Sequence, residues 1–207
     1  MNLYSLNKIS HQIDGKLVFS EISEVINSGE IIEIRGINGS GKTTLLKIIT
    51  GLIACKGIGS KDYVADQISY LGHKNGFVEE ITLRQNFEIL NIQIEKGLLS
   101  RLGLKELKNQ KFFNLSYGEK RKAALIRVIS SGKNIWIVDE PFAGLDSESI
   151  GELKEIMLNH IGKGGTVILT NHQDKIDIVV AIIASFNGWK GGKSSLLDLM
   201  ERFARGK

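Results

Sequence analysis

Residues 36 to 43, GINGSGKT, set Gly36, Gly39 and Gly41 ahead of Lys42 and Thr43 in the pattern G-x-x-x-x-G-K-[ST]. Glycines let a backbone curl until successive N–H groups point inward, and a helix start behind them adds partial positive charge, so the segment can cradle a polyphosphate. Lys42 would reach the terminal phosphates and the Thr43 hydroxyl would hold Mg²⁺. Gly36, Asn38, Gly39, Ser40, Gly41, Lys42, Thr43 and Thr44 are the candidate nucleotide contacts. The alternative, a tight turn with no ligand, accounts for the glycines but leaves the Lys-Thr pair unexplained.

Two carboxylates close the run IWIVDEP, residues 135 to 141. Ligand sites in parallel sheets lie off the carboxyl ends of strands, so Asp139 is placed to hold Mg²⁺ through water and Glu140 to polarise an attacking water. In NLSYGEKRKAAL, residues 114 to 125, Ser116 and Glu119 have the spacing of a capping box. That helix start, with Gly118 in its first turn, is a second anion-binding surface. One nucleotide does not need two cradles from one chain, whereas two copies paired head to tail would each complete the other's site. His172 follows the buried run TVILT and can meet a terminal phosphate at the sheet edge.

These groups require a particular frame. KLVFSEIS and EIIEIRG read as strands, and a helix from Lys42 buries Leu45, Leu46, Ile48 and Ile49 before Gly51 stops it. DQISYLG reads as a short strand. Leu83, Phe87, Leu90 and Ile94 recur with helical period after Thr82, and a further short helix covers Lys96 to Leu102. NIWIVDE and GTVILTN are continuous apolar runs of the kind parallel strands show, with the helix DSESIGELKEIMLNHI between them. The expected fold is α/β, a mainly parallel sheet flanked by helices. A single domain spans 1–207, with an inserted helical subdomain over about 75–130.

The chain has 207 residues, 42% hydrophobic, and a formal charge of +4. Cys55 is its only cysteine, which excludes an intrachain disulfide and a cysteine metal cluster and points to a reducing compartment. The N-terminal residues lack an apolar signal core. The longest apolar run, Ile178 to Ala184, is far shorter than the ~20 residues of a membrane-spanning helix.

Taken together and in order, GINGSGKT, LSYGE, IWIVDEP, AGLD and ILTNH resemble the nucleotide-binding subunit of ATP-binding cassette transporters over nearly the whole chain. The resemblance implies an N-terminal antiparallel β part in a P-loop NTPase and an ATP-driven homodimer. It implies that Ser116, Gly118 and Glu119 form a signature motif acting across that dimer, that Asp146 lies in the loop joining the two sites, and that His172 is a switch residue. His73 stands in the coupling loop where these ATPases usually carry glutamine; it can ligate or hydrogen-bond through nitrogen, and its titration near pH 6.5 would make coupling pH-sensitive. The position of the adenine-stacking aromatic maps to Ile13, with His11 nearby. Tyr117 and Glu119 replace the frequent Gly and Gln of the signature.

YLGHKNGF, LSYGEKRKAALIRV, DEPFAGLD and ILTNHQ narrow the likeness to the heme exporter ATP-binding subunit of cytochrome c maturation. That resemblance implies integral membrane partners, a place on the inner face of the cell membrane, and no direct heme binding by this chain. Two other classes stay open. A nucleic-acid clamp would use Lys120, Arg121, Lys122 and Arg127, which helix spacing scatters around the surface. A P-loop kinase or GTPase would not need LSYGE.

Overall fold

The computed structural model describes residues 2–60, 65–172 and 179–185. Strands β1 (Asn2–Ile13) and β2 (Lys16–Asn27) form an antiparallel hairpin. Asp14 and Gly15 join them with φ of 50° and 75°, the left-handed pair that lets a two-residue turn follow the strands' twist. Strand β3 (Glu30–Gly36) then leads through the glycine loop into α1 (Lys42–Ile49), which ends with Gly51 in a left-handed conformation, φ 78°. Strand β4 (Ile58–Ser60) pairs with β1, completing a three-stranded sheet in the order β2-β1-β4.

The remaining chain builds the larger sheet and its cover. Strand β5 (Ile68–Leu71) precedes three helices, α2 (Leu83–Ile89), α3 (Leu98–Arg101) and α4 (Tyr117–Ile129). Then come β6 (Ile135–Val138), α5 (Ser147–Gly162), β7 (Thr166–His172) and β8 (Val179–Ser185). The order is β5-β6-β7-β3-β8; the first four strands run parallel and β8 runs antiparallel beside β3. Val179 to Ala184 of that apolar run therefore lie in a strand at the edge of the described sheet.

Side chains along the parallel strands alternate between two apolar layers, as a pleat of period two requires. Ile32, Ile34, Ile135, Ile137 and Ile168 pack with α1 and the small sheet. Val138, Trp136, Val167 and Leu169 pack with α4 and α5, and the same layer continues into Leu83, Phe87, Leu98 and Phe112 of the helical stretch.

One helix is shorter than its apolar spacing suggests. Helix α2 stops at Ile89, Leu90 is exposed, and Asn91 is left-handed with φ 50°. Asn91 N–H donates to Glu88 O and Ile92 N–H to Phe87 O, the bond pair of a Schellman ending, which Asn accepts better than other non-glycine residues. Ile92 and Ile94 still pack on the core, but from a loop.

Candidate functional site

The glycine loop leaves β3 at Gly36 and curls into α1, with Gly39 and Gly41 at φ of 82° and 96°. The bend drives Gly41 beneath β2, where a Cβ would stand 2.4 Å from Val18 Cγ1. Any side chain at Gly41 therefore meets a steric barrier as well as backbone strain. Lys42 is buried, and its ammonium lies within the curl, donating to Gly36 O at 2.8 Å and Ile37 O at 3.0 Å. Ser40 Oγ is buried without a hydrogen-bond partner among the described residues. An unpaired hydroxyl and a cation inside a backbone curl fit the oxygens of a polyphosphate. Beside the loop, a cavity of about 420 Å³ is walled by Leu17, Val18 and Phe19 of β2 and by Ile37, Asn38 and Gly39. Ile13 lies at the exposed hairpin tip and does not line that cavity; His11 stacks on Phe19 with centroids 6.2 Å apart.

Across from the loop, Asp139 sits just past β6, 1% exposed, with its N–H donating to Leu71 O. Thr43 Oγ1 donates to Asp139 Oδ2 at 2.7 Å, a contact across 96 residues of chain. His73 Nε2 lies 3.2 Å from Thr43 Oγ1 and 3.1 Å from Asp139 Oδ2. A hydroxyl, a carboxylate and an imidazole nitrogen thus converge on one point, a donor set that fits a small divalent cation. Thr170 Oγ1 donates to the other carboxylate oxygen, Asp139 Oδ1, at 2.6 Å and accepts from Glu140 N–H at 2.8 Å. Glu140 is held left-handed, φ 48°, a strained setting for a residue with a Cβ and one that recurs at functional positions.

Arg121 braces this end of the sheet, contrary to the expectation that the helix spreads its basic residues over the surface. It is 2% exposed; Nη1 donates to Gly72 O at 2.9 Å, and Nη2 donates to the carbonyls of Asp139 and Glu140. Burial lowers its pKa, opposed by Tyr117, Asp139 and Glu140. Arg127 is likewise drawn inward, its Nε buried and its guanidinium against Gly76. The stripe Arg121, Ala124, Leu125, Val128 at helical spacing was the signal that places Arg121 inside. Thr170, a hydroxyl ending an apolar strand, carried a fainter one.

The capping box at α4 forms as its spacing predicts: Glu119 N–H donates to Ser116 Oγ at 3.3 Å and Ser116 N–H to the Glu119 carboxylate at 2.7 Å. Ser116 and Glu119 are both directed to the helix start, and Ser116 is exposed. Asp146 caps α5, accepting from Ser149 N–H at 2.8 Å and Ser149 Oγ at 3.0 Å, bonds that lower its pKa. Lys122 Nζ lies 3.6 Å from the Asp146 carboxylate. His172 ends β7 with its backbone registered against Gly36. Its ring lies outside the described side chains.

A phosphate loop, a sheet-end aspartate on the loop's threonine and a second capped helix start define an ATP-binding domain of the P-loop class. Comparison with known proteins agrees: the ABC transporter family profile matches residues 19–143. A solved structure described as the ATP-binding subunit of an ABC transporter superposes with a TM-score of 0.70 at 26% identity, covering 82% of this chain and 79% of that one. The "Cytochrome c biogenesis ATP-binding export protein CcmA" of Shewanella oneidensis is 34% identical over 190 residues, 83% of this chain and 87% of its own length. The protein of the same name from Reclinomonas americana is 35% identical over 198 residues, 84% and 89% of the two chains. The chain belongs to the ABC transporter ATPases, in the family of the CcmA proteins of cytochrome c biogenesis.

Proposed function

We propose that two copies of this chain close head to tail on two Mg²⁺-ATP and drive a membrane complex that exports heme for cytochrome c maturation. The Gly36–Thr44 loop binds the phosphates, with Lys42 leaving the Gly36 and Ile37 carbonyls to meet the β and γ oxygens. The cavity against Leu17, Val18 and Phe19 takes the nucleoside by apolar contact in place of a stacked aromatic. Thr43 and Asp139 would hold Mg²⁺, which would supply positive charge against the phosphates, and Thr170 keeps the Asp139 carboxylate turned toward Thr43. Glu140, its backbone fixed by Thr170 and Arg121, orients the attacking water, and His172 meets the terminal phosphate. Ser116 and Gly118 of the partner copy close the far side, with Asp146 at the seam. The coupling loop around His73 and the adjoining helices dock to integral membrane subunits on the inner face of the membrane.

The observation that carries the ATPase reading is the Thr43–Asp139 bond, which unites the phosphate loop with the carboxylate strand. Among the described residues no helix is long and apolar enough to cross a membrane. A nucleic-acid clamp is disfavoured because Arg121, the centre of the basic run, is spent on buried carbonyls.

The test is Glu140→Gln. In saturating ATP the variant should dimerise yet turn over at least 10²-fold more slowly, the scale of a lost general base. Monomeric behaviour under those conditions would refute the dimeric site. Co-purification from solubilised membranes followed by heme assay tests the cargo, and partners carrying an unrelated solute would leave the ATPase standing without heme.

A further inference from the structure

A cavity of about 370 Å³ opens at the amino end of β6, walled by α3, the end of α4 and the last turns of α5. It shares no lining residue with the phosphate loop, Asp139 or Glu140. A strand rises ~3.3 Å per residue, so Trp136 in this cavity stands about 10 Å of strand away from Asp139.

The floor is apolar. Leu98, Trp136 and Ile156 are buried there, and Ile129 is half-buried. The Trp136 indole N–H donates to Lys133 O at 3.0 Å, a residue outside the lining, so the ring offers the cavity carbon surface. His160 stacks on the indole, and its Nε2 is engaged by Asn134 O. Burial keeps that imidazole neutral at physiological pH, with its pKa lowered to about 4.

The rim is charged. Arg101 is committed to Glu152 at 2.7 Å and to Glu155 at 3.5 Å. Lys96 and Lys163 are exposed, and among the described residues neither ammonium has a hydrogen bond or ion pair. Glu95 is the one acid of the lining among the described residues, so two uncommitted ammonium groups face a single carboxylate.

We propose that this cavity binds a small amphipathic anion, an aromatic carboxylate in chemical class, with its ring on Leu98, Trp136 and Ile156 and its carboxylate at Lys96 and Lys163. The volume lies within the roughly 300–1,000 Å³ of small-molecule sites, which likewise join an apolar lining to a few polar groups. A rigid ring gives up less conformational freedom on binding than a flexible aliphatic acid of the same size. A cation would be repelled by the lysines, and a neutral ring would leave their charge unused. The chain thus carries a second ligand site, independent of the nucleotide site, at the opposite end of the sheet.

The probe is 2-naphthoate, titrated into the full chain labelled with ¹⁵N and ¹³C and followed by NMR. The chain has two tryptophans, and the Trp136 indole N–H peak is the one with cross-relaxation to the His160 ring. That peak should move saturably with naphthoate, and adding a non-hydrolysable ATP analogue should leave the movement in place. The double variant Lys96→Gln, Lys163→Gln should bind naphthoate about tenfold more weakly, the scale of two exposed ionic contacts, while the neutral isostere 2-naphthamide binds both proteins alike. A Trp136 peak that stays still throughout, or a shift abolished by the ATP analogue, would overturn the proposal. So would equal naphthoate affinity in the wild type and the double variant. Both lysines are exposed, so the double variant poses no core-packing obstacle to folding, and its Trp136 peak in the free protein checks that it is folded.

Discussion

Gly118 approaches Gly144 so closely that a Cβ added to it would stand 2.3 Å from the Gly144 carbonyl oxygen. The reverse is equally tight, since a Cβ on Gly144 would lie 2.4 Å from the Tyr117 ring. The first turn of α4 and the segment between β6 and α5 thus touch backbone to backbone. A shift at one is felt at the other, because packed interiors transmit displacement rather than absorb it. Gly118→Ala should cost about 1–3 kcal/mol of stability through overpacking. It should cut turnover while nucleotide binding persists, because the phosphate loop lies on another element. Urea titration and a paired comparison of ATP affinity with hydrolysis rate check both parts; unchanged turnover would detach this contact from catalysis.

Arg121→Met keeps an unbranched apolar stem of the side chain and removes its donors. The carbonyls of Gly72, Asp139 and Glu140 lose a buried partner together, a penalty of about 3 kcal/mol. For a chain of this size that corresponds to a fall of roughly 6–12 °C in Tm. Calorimetry measures it, and a loss under one degree would show that the brace is redundant.

Thr170→Val preserves shape and deletes the hydroxyl that joins Asp139 Oδ1 to Glu140 N–H. The buried acceptor and donor left behind should cost about 1–3 kcal/mol. The kinetic signature matters more: kcat should drop with little change in nucleotide affinity, since Thr170 bonds to the Asp139 carboxylate and the Glu140 N–H and not to the glycine loop. A pure affinity defect would contradict that assignment.

His160 predicts a pH dependence remote from the nucleotide. Its ring stacks on Trp136 with centroids 3.6 Å apart, Nε2 is 3.0 Å from Asn134 O, and a Cβ on Gly165 would collide with it. Burial lowers its pKa from 6.5 to about 4, with Lys163 adding to the fall and the Asn134 bond opposing it. The folded protein therefore keeps the ring neutral where the unfolded chain would protonate it. Stability from this group is complete above pH 6.5 and is lost as pH falls toward 4. Thermal unfolding across that window should show a slope that His160→Gln flattens; an identical slope in both proteins would assign the dependence elsewhere.

Much of the site was written into local sequence. The phosphate loop is contiguous, so its glycine spacing alone specifies the curl, and Ser116 with Glu119 specifies a helix start from four residues. Continuous apolar runs announced β6 and β7, because strands buried on both faces have no polar side to show. Local pattern was weaker where partners are distant. Strand β1 alternates poorly, and its Asp14-Gly15 turn was the clearest trace of the hairpin. Leu90 and Ile94 extended a helical period past an end that Asn91 imposes through backbone conformation.

Only the folded chain could decide the rest. Arg121 sits among lysines, so composition argues for solvent while its apolar helical stripe argues for the interior; three carbonyls converging from two strand ends decide between them by pairing the charge inside. His73 and Asp139 lie 30 and 96 residues from Thr43 along the chain, and nothing in that spacing brings them within 3.2 Å of it. The sequence by itself determined which local groups could bind phosphate and cap a helix, since those depend on neighbouring backbone. Parallel pairing of β5, β6, β7 and β3 determined which of those groups meet, because it brings their carboxyl ends side by side however far apart they are along the chain.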